Sequence, residues 1–535
     1  MSADIAIMGA PVQMGTIVVS DIVNQRAEKQ HRLGKKTAGE RLDSLLDQES
    51  FEELDHLAKS LFLEEKFITD GVITGFGTIQ GRQVAVYAQD FTIKGGSLGK
   101  RHADKICKIM DMAAKIGCPI IGIIDSGGAR IDEGVHALSG YGQIFTRNVK
   151  YSGVVPQISI ILGPCAGGAT YSPALTDFIF TTTDTSNMFI TGPQVVEQVL
   201  HQKISKEELG GALVHAQKSG VAHFVANSED ECLEQVKKLL SYLPQNYLSE
   251  QEPQENQHMN FDREGLDPAC FNSMGLTQQG LNPAGFDPAD FVPQNFSQGY
   301  DIRNLINSVF DSKSFFEVHE HFATNIVVGF ARLDGKNVGI VANQPQVKAG
   351  VIDIQASCKA ARFINFCDAF SIPIISLVDV PGFLPGVEQE HNGIILHGAK
   401  LIYAYAAATV PKITLIIRKA FGGAYVVMGS KELGTDFNFS WPNTQIAVLG
   451  AKGAVAILHR SELDHALPEN REALAQKLET EYEQEFMNPL IAAENGYIDA
   501  IIEPIKTRYH LTRALEILKN KVEISAKKKH GNIPL

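Results

Sequence analysis

The chain carries the same sequence pattern twice. Val84, Lys105, Pro119 and Asp125 recur as Val338, Lys359, Pro373 and Asp379, each 254 residues later and without a gap. Farther on, Gly167-Gly168-Ala169 recurs as Gly422-Gly423-Ala424, now 255 residues later. Val155-Pro156 precedes the first of these as Val410-Pro411 precedes the second, and Gly192 has a fainter echo in Gly450. A period this long is not a solenoid repeat; it marks a duplicated domain. Both copies read as strand, loop, helix, strand and acidic turn. Around Gly81, Gly71 to Gln80 and Arg82 to Gln89 alternate as a hairpin. Ile106, Ile109, Met110, Ala113 and Ile116 then mark one helical face, and Pro119–Ile124 and Pro373–Val378 read as the next strands. Alternating strands and helices imply a layered α/β fold in each half.

The glycine pairs are the chemical feature of that repeat. Each follows an apolar run that reads as a buried strand, Ile158 to Leu162 and Ile413 to Ile417. Adjacent glycines let another backbone, or a ligand, approach with no Cβ in the way. N–H groups at the start of a helix have no intrahelical acceptor. Such a turn suits a negatively charged oxygen, for instance the enolate of a thioester. One turn alone reads first as close packing; a second copy points to a reaction with two developing oxyanions. No His, Glu or Asp stands beside either turn, and His136 and His397 read as surface or core histidines. Ser126-Gly-Gly-Ala-Arg130 has two readings, a backbone approach to a ligand or a tight turn capped by Asp125.

At 535 residues the chain expects at least two domains. The divisions expected are an extension over 1–20, a first half over 21–245, a Pro/Asn/Gln-rich linker over 246–300 and a second half over 301–535. Within the first half, Lys35 to Leu46 reads as an amphipathic helix on the surface or against a partner. Residues 506–535 read as a basic helical tail. A net charge of −13 without a basic stripe argues against nucleic acid as a partner. Seven cysteines include no C-x-x-C pair, which argues against a zinc ribbon or other metal site and for a reducing compartment such as the cytoplasm. No apolar run reaches membrane-spanning length, and the first twenty residues lack the basic start of a secretion signal. No Walker A pattern appears, so ATP chemistry is not expected on this chain.

Specific motifs run through both halves. They include Leu33-Gly-Lys-Lys-Thr-Ala-Gly-Glu-Arg41, Gln89-Asp-Phe-Thr92, Gly95-Gly-Ser-Leu98 and Asp125-Ser-Gly-Gly-Ala-Arg-Ile131. Glu208-Leu-Gly-Gly-Ala212, Ser219-Gly-Val-Ala-His223, Asp379-Val-Pro-Gly-Phe-Leu-Pro-Gly386 and Ile446-Ala-Val-Leu-Gly-Ala-Lys-Gly-Ala-Val455 complete the set with the two glycine turns. Together they resemble the carboxyltransferase, or β, subunit of biotin-dependent acyl-CoA carboxylases, most of all the propionyl-CoA carboxylase type. The resemblance implies a duplicated crotonase-like (ClpP/crotonase) ββα spiral, one per half, and a homohexamer. It implies transfer of CO₂ from carboxybiotin, borne on a separate biotin carboxylase/biotin carrier subunit, to the α-carbon of a short-chain acyl-CoA. The N–H groups at Gly167 and Gly168 would then hold the CoA enolate, and those at Gly423 and Ala424 the ureido oxygen of biotin. Gly127, Gly128, Ala129, Ala169 and Gly422 would complete the backbone cradle, with Tyr425 and Val426 lining the acyl pocket. Propionyl-preferring members carry aspartate at the position of Val426, so broad use of short acyl-CoAs is expected. Two other readings share these motifs: the decarboxylase subunit of a biotin-dependent sodium pump, and a non-catalytic assembly subunit.

Overall fold

Each half is built on a hairpin whose turn uses two residues at positive φ, Gln80-Gly81 (52° and 76°) and Asp334-Gly335 (52° and 75°). Such turns match the twist of the antiparallel strands they join. In the first, Ile79 faces Arg82; in the second, Leu333 faces Lys336. The computed structural model describes residues 26–63, 67, 69–249, 287–524 and 526–535. The chain divides into two units, residues 1–246 and 247–535. The extension at 1–20 and the greater part of the linker lie outside the described residues.

The first unit holds β1 (Glu52–Leu54), β2 (Val72–Ile79), β3 (Arg82–Gln89), β4 (Ile120–Ser126), β5 (Gln157–Ala166), β6 (Phe178–Thr182), β7 (Asn187–Phe189) and β8 (Phe224–Ala226). Among the described residues they form one sheet in the order β1-β2-β3-β4-β5-β6-β8, with β7 added on β5. β1 to β3 are antiparallel and every later pairing is parallel. The second unit repeats this with β9 (Phe316–Val318), β10 (Ile326–Leu333), β11 (Lys336–Asn343), β12 (Ile374–Val380), β13 (Lys412–Phe421), β14 (Phe437–Ser440), β15 (Gln445–Ala447) and β16 (Ala500–Ile501). Its sheet runs β9-β10-β11-β12-β13-β14-β16, with β15 on β13. β2, β3 and β4 start 254 residues ahead of β10, β11 and β12, and β5 starts 255 ahead of β13. The extra residue of the second half therefore enters between β12 and β13.

Two helices per unit pack on each other over the sheet: Lys100–Ile116 with Val135–Tyr151, and Ile354–Ala369 with Ile394–Ala407. Ile106, Ile109, Met110 and Ala113 join the core of the first unit. Ile116, expected on that face, is 48% exposed, because Gly117 at φ 77° ends the helix there. The repeated lysines are buried ties. Lys105 Nζ donates to Val72 O at 2.7 Å and Lys359 Nζ to Ile326 O at 2.8 Å, each fixing the helix to the first residue of the hairpin. Burial pushes the Lys359 ammonium down to about 7.

The first half's amphipathic segment is not a surface helix. Ala38–Leu45 is a helix with a capping box between Thr37 and Glu40, and it buries Ala38, Arg41, Leu42 and Leu45. The tail is helical only over Thr507–Ile517 and a following 3₁₀ turn; the described residues beyond Asn520 have no regular secondary structure. Gly192 and Gly450 do hold matching places, each capping a helix, Pro193–Leu200 and Ala451–Leu458. No helix among the described residues is long and apolar enough to cross a membrane.

Candidate active site

β5 and β13 are each followed directly by a glycine at left-handed φ, Gly167 at 59° and Gly422 at 57°. An L side chain in that conformation costs roughly 1–2 kcal/mol, so glycine is what lets the strand reverse at once into the next element. That element is a 3₁₀ turn, Gly167–Thr170, in the first unit and a short helix, Gly422–Val427, in the second. Neither start is capped by a side chain, and the leading N–H groups of such a turn have no acceptor within it.

The neighbouring strand ends in the other candidate turn. Ser126 at the end of β4 pairs with Cys165 on β5, and Val380 at the end of β12 pairs with Ala420 on β13. The carboxyl ends of adjacent parallel strands are where open α/β sheets bind ligands. In the first unit a Cβ on Gly128 would stand 2.8 Å from Ala166 O, so the chain at 127–129 lies directly against the start of the second turn. The fold thus brings Gly127, Gly128 and Ala129 together with Gly167, Gly168 and Ala169. The second unit groups Gly422, Gly423, Ala424, Tyr425 and Val426 on one short helix, with Gly423 and Val426 exposed and Ala424 buried. Burial pushes the Tyr425 phenol up to about 12. The expectation that Asp125 caps its own turn fails: Gly128 N–H donates instead to Ser126 Oγ at 3.2 Å. His136 is exposed at the start of its helix, and His397 Nδ1 lies 3.2 Å from Cys358 Sγ.

An aromatic ring backs the second glycine of each pair, from opposite sources. In the first unit it is Tyr141, from the helix Val135–Tyr151, with Cδ2 3.0 Å from where Gly168 would carry a Cβ. In the second it is Phe383, from the turn after β12, with Cε2 3.8 Å from the corresponding point on Gly423. The same ring contacts Gly398 on the helix Ile394–Ala407, where a Cβ would meet it at 3.2 Å. Phe383 stands where the first unit has Ala129: the bridge Leu98↔Ala129 is repeated 254 residues on as Ile352↔Phe383. Periodicity could not reveal this exchange, since the two rings sit on different elements.

Buried charge fixes the strand ends. Asp125 Oδ2 takes Lys35 Nζ at 2.6 Å, Arg41 Nη1 at 2.9 Å and Gln30 Nε2 at 3.0 Å. Arg41 also pairs with Glu229 at 2.6 Å and donates to Leu162 O at 2.8 Å. Burial pushes the Lys35 ammonium down, while Asp125 opposes the shift. Asp379 has a cation of another origin: Arg418 Nε, from β13 itself, at 2.9 Å. Arg418 Nη1 donates to the carbonyls of Asn295 and Gln298 at 3.0 and 2.9 Å, and its guanidinium lies 5.0 Å from the Tyr300 ring centroid. The described end of the linker is thereby latched under the second glycine turn. Gly163 is the counterpart of Arg418 at the 255-residue offset, and a Cβ there would stand 2.0 Å from Asp125 Oδ1 and 2.6 Å from Lys35 Nζ. Glycine at 163 leaves the space through which Lys35 enters. The sequence signal for this network was the Leu33–Arg41 motif, part of a stretch that read as a helix on the surface or against a partner.

Comparison with known proteins agrees with this architecture. The carboxyl transferase domain family matches residues 29–533. The carboxyltransferase subunit of propionyl-CoA carboxylase from Haloferax mediterranei is 52% identical over 519 residues, 95% of each chain. The α subunit of methylmalonyl-CoA decarboxylase from Veillonella parvula is 50% identical over 520 residues, 96% of this chain and 95% of that one. The solved structure of transcarboxylase 12S, a hexamer with methylmalonyl-CoA and methylmalonic acid bound, superposes with a TM-score of 0.88 at 44% identity over the whole of both chains.

Proposed function

The chain belongs to the carboxyl transferase family; its reaction is carboxyl transfer of the propionyl-CoA carboxylase type, and we propose that the two glycine turns are where it takes place. The observation that carries this is the repeated strand end, Gly167 and Gly422 at nearly equal left-handed φ with uncapped N–H groups behind them. Carboxyl transfer to an acyl-CoA develops negative charge on the thioester oxygen and on the ureido oxygen of biotin, one for each turn. The N–H groups of Gly167 and Gly168 hold the thioester oxygen as the α-carbon loses its proton. Those of Gly423 and Ala424 hold the ureido oxygen. Gly423 fits that group: it is exposed, and even a methyl there would meet nothing closer than Phe383 at 3.8 Å. Bound carboxybiotin supplies the carboxyl group and, once it has given this up, a base for the α-proton. This agrees with glycine turns that carry no His, Asp or Glu of their own. Losing one such donor costs on the order of 3 kcal/mol of barrier. Tyr425 and Val426 line the acyl end, with Gly127, Gly128, Ala129, Ala169 and Gly422 shaping the backbone around the ligands.

Biotin arrives on a separate carrier, and the partner is a biotin carboxylase/biotin carrier subunit, because the sequence contains neither a Walker A nor a biotinylation motif. The test is reconstitution. The purified chain should be blank on an avidin blot and inactive with ATP and bicarbonate alone. It should carboxylate propionyl-CoA when the biotinylated partner is added, and Gly423→Val, at a position with open space beside it, should abolish this without dissociating the assembly. Full transfer by that variant would remove the second glycine turn from the mechanism. The likeness to the Veillonella decarboxylase subunit supports the reverse direction as a second reading. Co-purification with a membrane subunit in place of a biotin carboxylase would establish it. Intact glycine turns in both halves speak against a non-catalytic assembly subunit.

A further inference from the structure

β13 and β15 run out together. Gln445, Ile446 and Ala447 pair in parallel with Lys419, Ala420 and Phe421, the last residues before the second glycine turn. Past that pairing the two chains stay close. A Cβ on Gly422 would stand 3.0 Å from Val448 O, and one on Gly450 would stand 3.4 Å from Phe421 Cε2. Gly450 caps the helix Ala451–Leu458. This helix and Gly422–Val427 therefore start side by side, at the carboxyl ends of adjacent parallel strands.

Lys452 lies in the first turn of the helix. Ala451, Ala454 and Val455 are its buried face, and Lys452 is exposed. Side chains on a helix lean toward its N-terminus, so Lys452 leans back toward the strand ends. It has no ion pair or hydrogen bond among the described residues, whereas the two cations of β13 are engaged, Arg418 by Asp379 and Lys419 by Phe296 O. No acidic residue stands in the first turn of the helix, and a cation there opposes the helix dipole. The fold gains nothing from a positive charge at 452. The first half does without one: β7 pairs with the end of β5, Gly192 caps Pro193–Leu200, and the residue two places after the cap is the neutral Gln194.

The two ligands differ in the same sense. A thioester brings an uncharged reacting carbonyl to the first turn. Carboxybiotin brings a full negative charge, the carboxylate on N1′, to the second. We propose that Lys452 binds this carboxylate, while the N–H groups of Gly423 and Ala424 take the ureido oxygen beside it. As the bond from N1′ to the carboxyl carbon breaks, its electron pair passes into the ureido group and CO₂ departs uncharged. The negative charge thereby moves from Lys452 to the glycine turn. Lys452 thus serves the binding of the carboxylated form and not the transition state. This rests on the assignment of biotin to the second turn.

The test measures equilibrium binding of carboxybiotin and of biotin to the purified full chain without acyl-CoA. Both are used as methyl esters, so that the carboxyl on N1′ is the one charge that distinguishes them. Lys452→Gln should raise Kd for carboxybiotin about tenfold, the scale of one charge-assisted hydrogen bond, and leave Kd for biotin unchanged. Lys452→Arg should restore most of the affinity. Transfer to propionyl-CoA at saturating carboxybiotin should not slow in Lys452→Gln. Unchanged affinity for carboxybiotin, equal weakening of both ligands, a fall in saturated kcat or loss of the assembled state by light scattering would each overturn the role of Lys452. Gly423→Val reports separately on the assignment beneath it: if that variant binds biotin methyl ester as the wild type does, biotin does not sit at the second turn and the role of Lys452 falls with it. If Gly423→Val weakens biotin and Lys452→Gln changes nothing, the second turn keeps its ligand and Lys452 alone is excluded.

Discussion

Gly423 has room for a methyl group and Gly168 does not. A Cβ on Gly423 would be in ordinary contact with Phe383 at 3.8 Å, whereas one on Gly168 would press on Tyr141 at 3.0 Å. Gly423→Ala should therefore fold with an unchanged melting temperature and still lose at least tenfold in transfer, because the methyl occupies ligand space. Wild-type transfer by that variant would show that the second turn does not face a ligand. Val426, 36% exposed one residue past Tyr425, carries the acyl-chain prediction. An apolar wall discriminates one methylene by roughly 1–3 kcal/mol, so acetyl-, propionyl- and butyryl-CoA should all turn over. Val426→Asp should narrow that range toward propionyl-CoA, read from kcat/KM for the three thioesters; unchanged ratios would acquit position 426. The glycines and their neighbours were legible in the sequence because a doubled Gly-Gly-Ala after an apolar run is a local pattern. Tyr141 and Phe383 were not, since what relates them is packing against a turn.

At the scale of the element, the helix Ala38–Leu45 is the piece the sequence concealed. Its charges alternate as on a solvated helix, yet Arg41 is fully buried between Asp125 and Glu229. Periodicity cannot separate a buried ion pair from a surface one when the partners lie about 80 and 190 residues away. Truncating one member of such a pair leaves charge buried and unmatched, so Arg41→Ala should destabilise the first unit by about 3–5 kcal/mol in a denaturant melt. The helix also carries a pH dependence. The backbone N–H of Thr37, with help from His31, holds the Glu40 carboxyl down at about 2, against an ordinary 4.5. A depressed folded value means that the stabilisation is whole above pH 4.5 and is lost as the pH falls toward 2. Protection factors over residues 38–45 should fall as the pH drops through that window and should already be low at neutral pH in Glu40→Ala, which removes the acceptor of the Thr37 N–H. Equal protection in the two proteins at pH 7 would show that the cap contributes nothing. The sheets, by contrast, were readable in advance: the strands keep a single offset from β2 to β4, and the shift to 255 enters only with β5.

For the whole molecule, the likeness to a hexameric transcarboxylase core leads to the expectation that six copies assemble. Light scattering should give six times the chain mass, and a monodisperse monomer with full activity would refute it. The duplication has a consequence of another kind. Gly163 and Arg418 hold the same place in two descendants of one strand, yet neither can be exchanged alone. Any side chain at 163 collides with Asp125 and Lys35. Glycine at 418 would strip Asp379 of its cation and release the linker end that Arg418 clasps. Restoring likeness at this site requires Gly163, Lys35 and Arg41 to change together, and every intermediate leaves a clash or an orphaned charge. The two copies are thus held apart by epistasis: gene conversion between the halves passes through chains that fold poorly, so each lineage within the polypeptide is free to drift while remaining barred from overwriting the other.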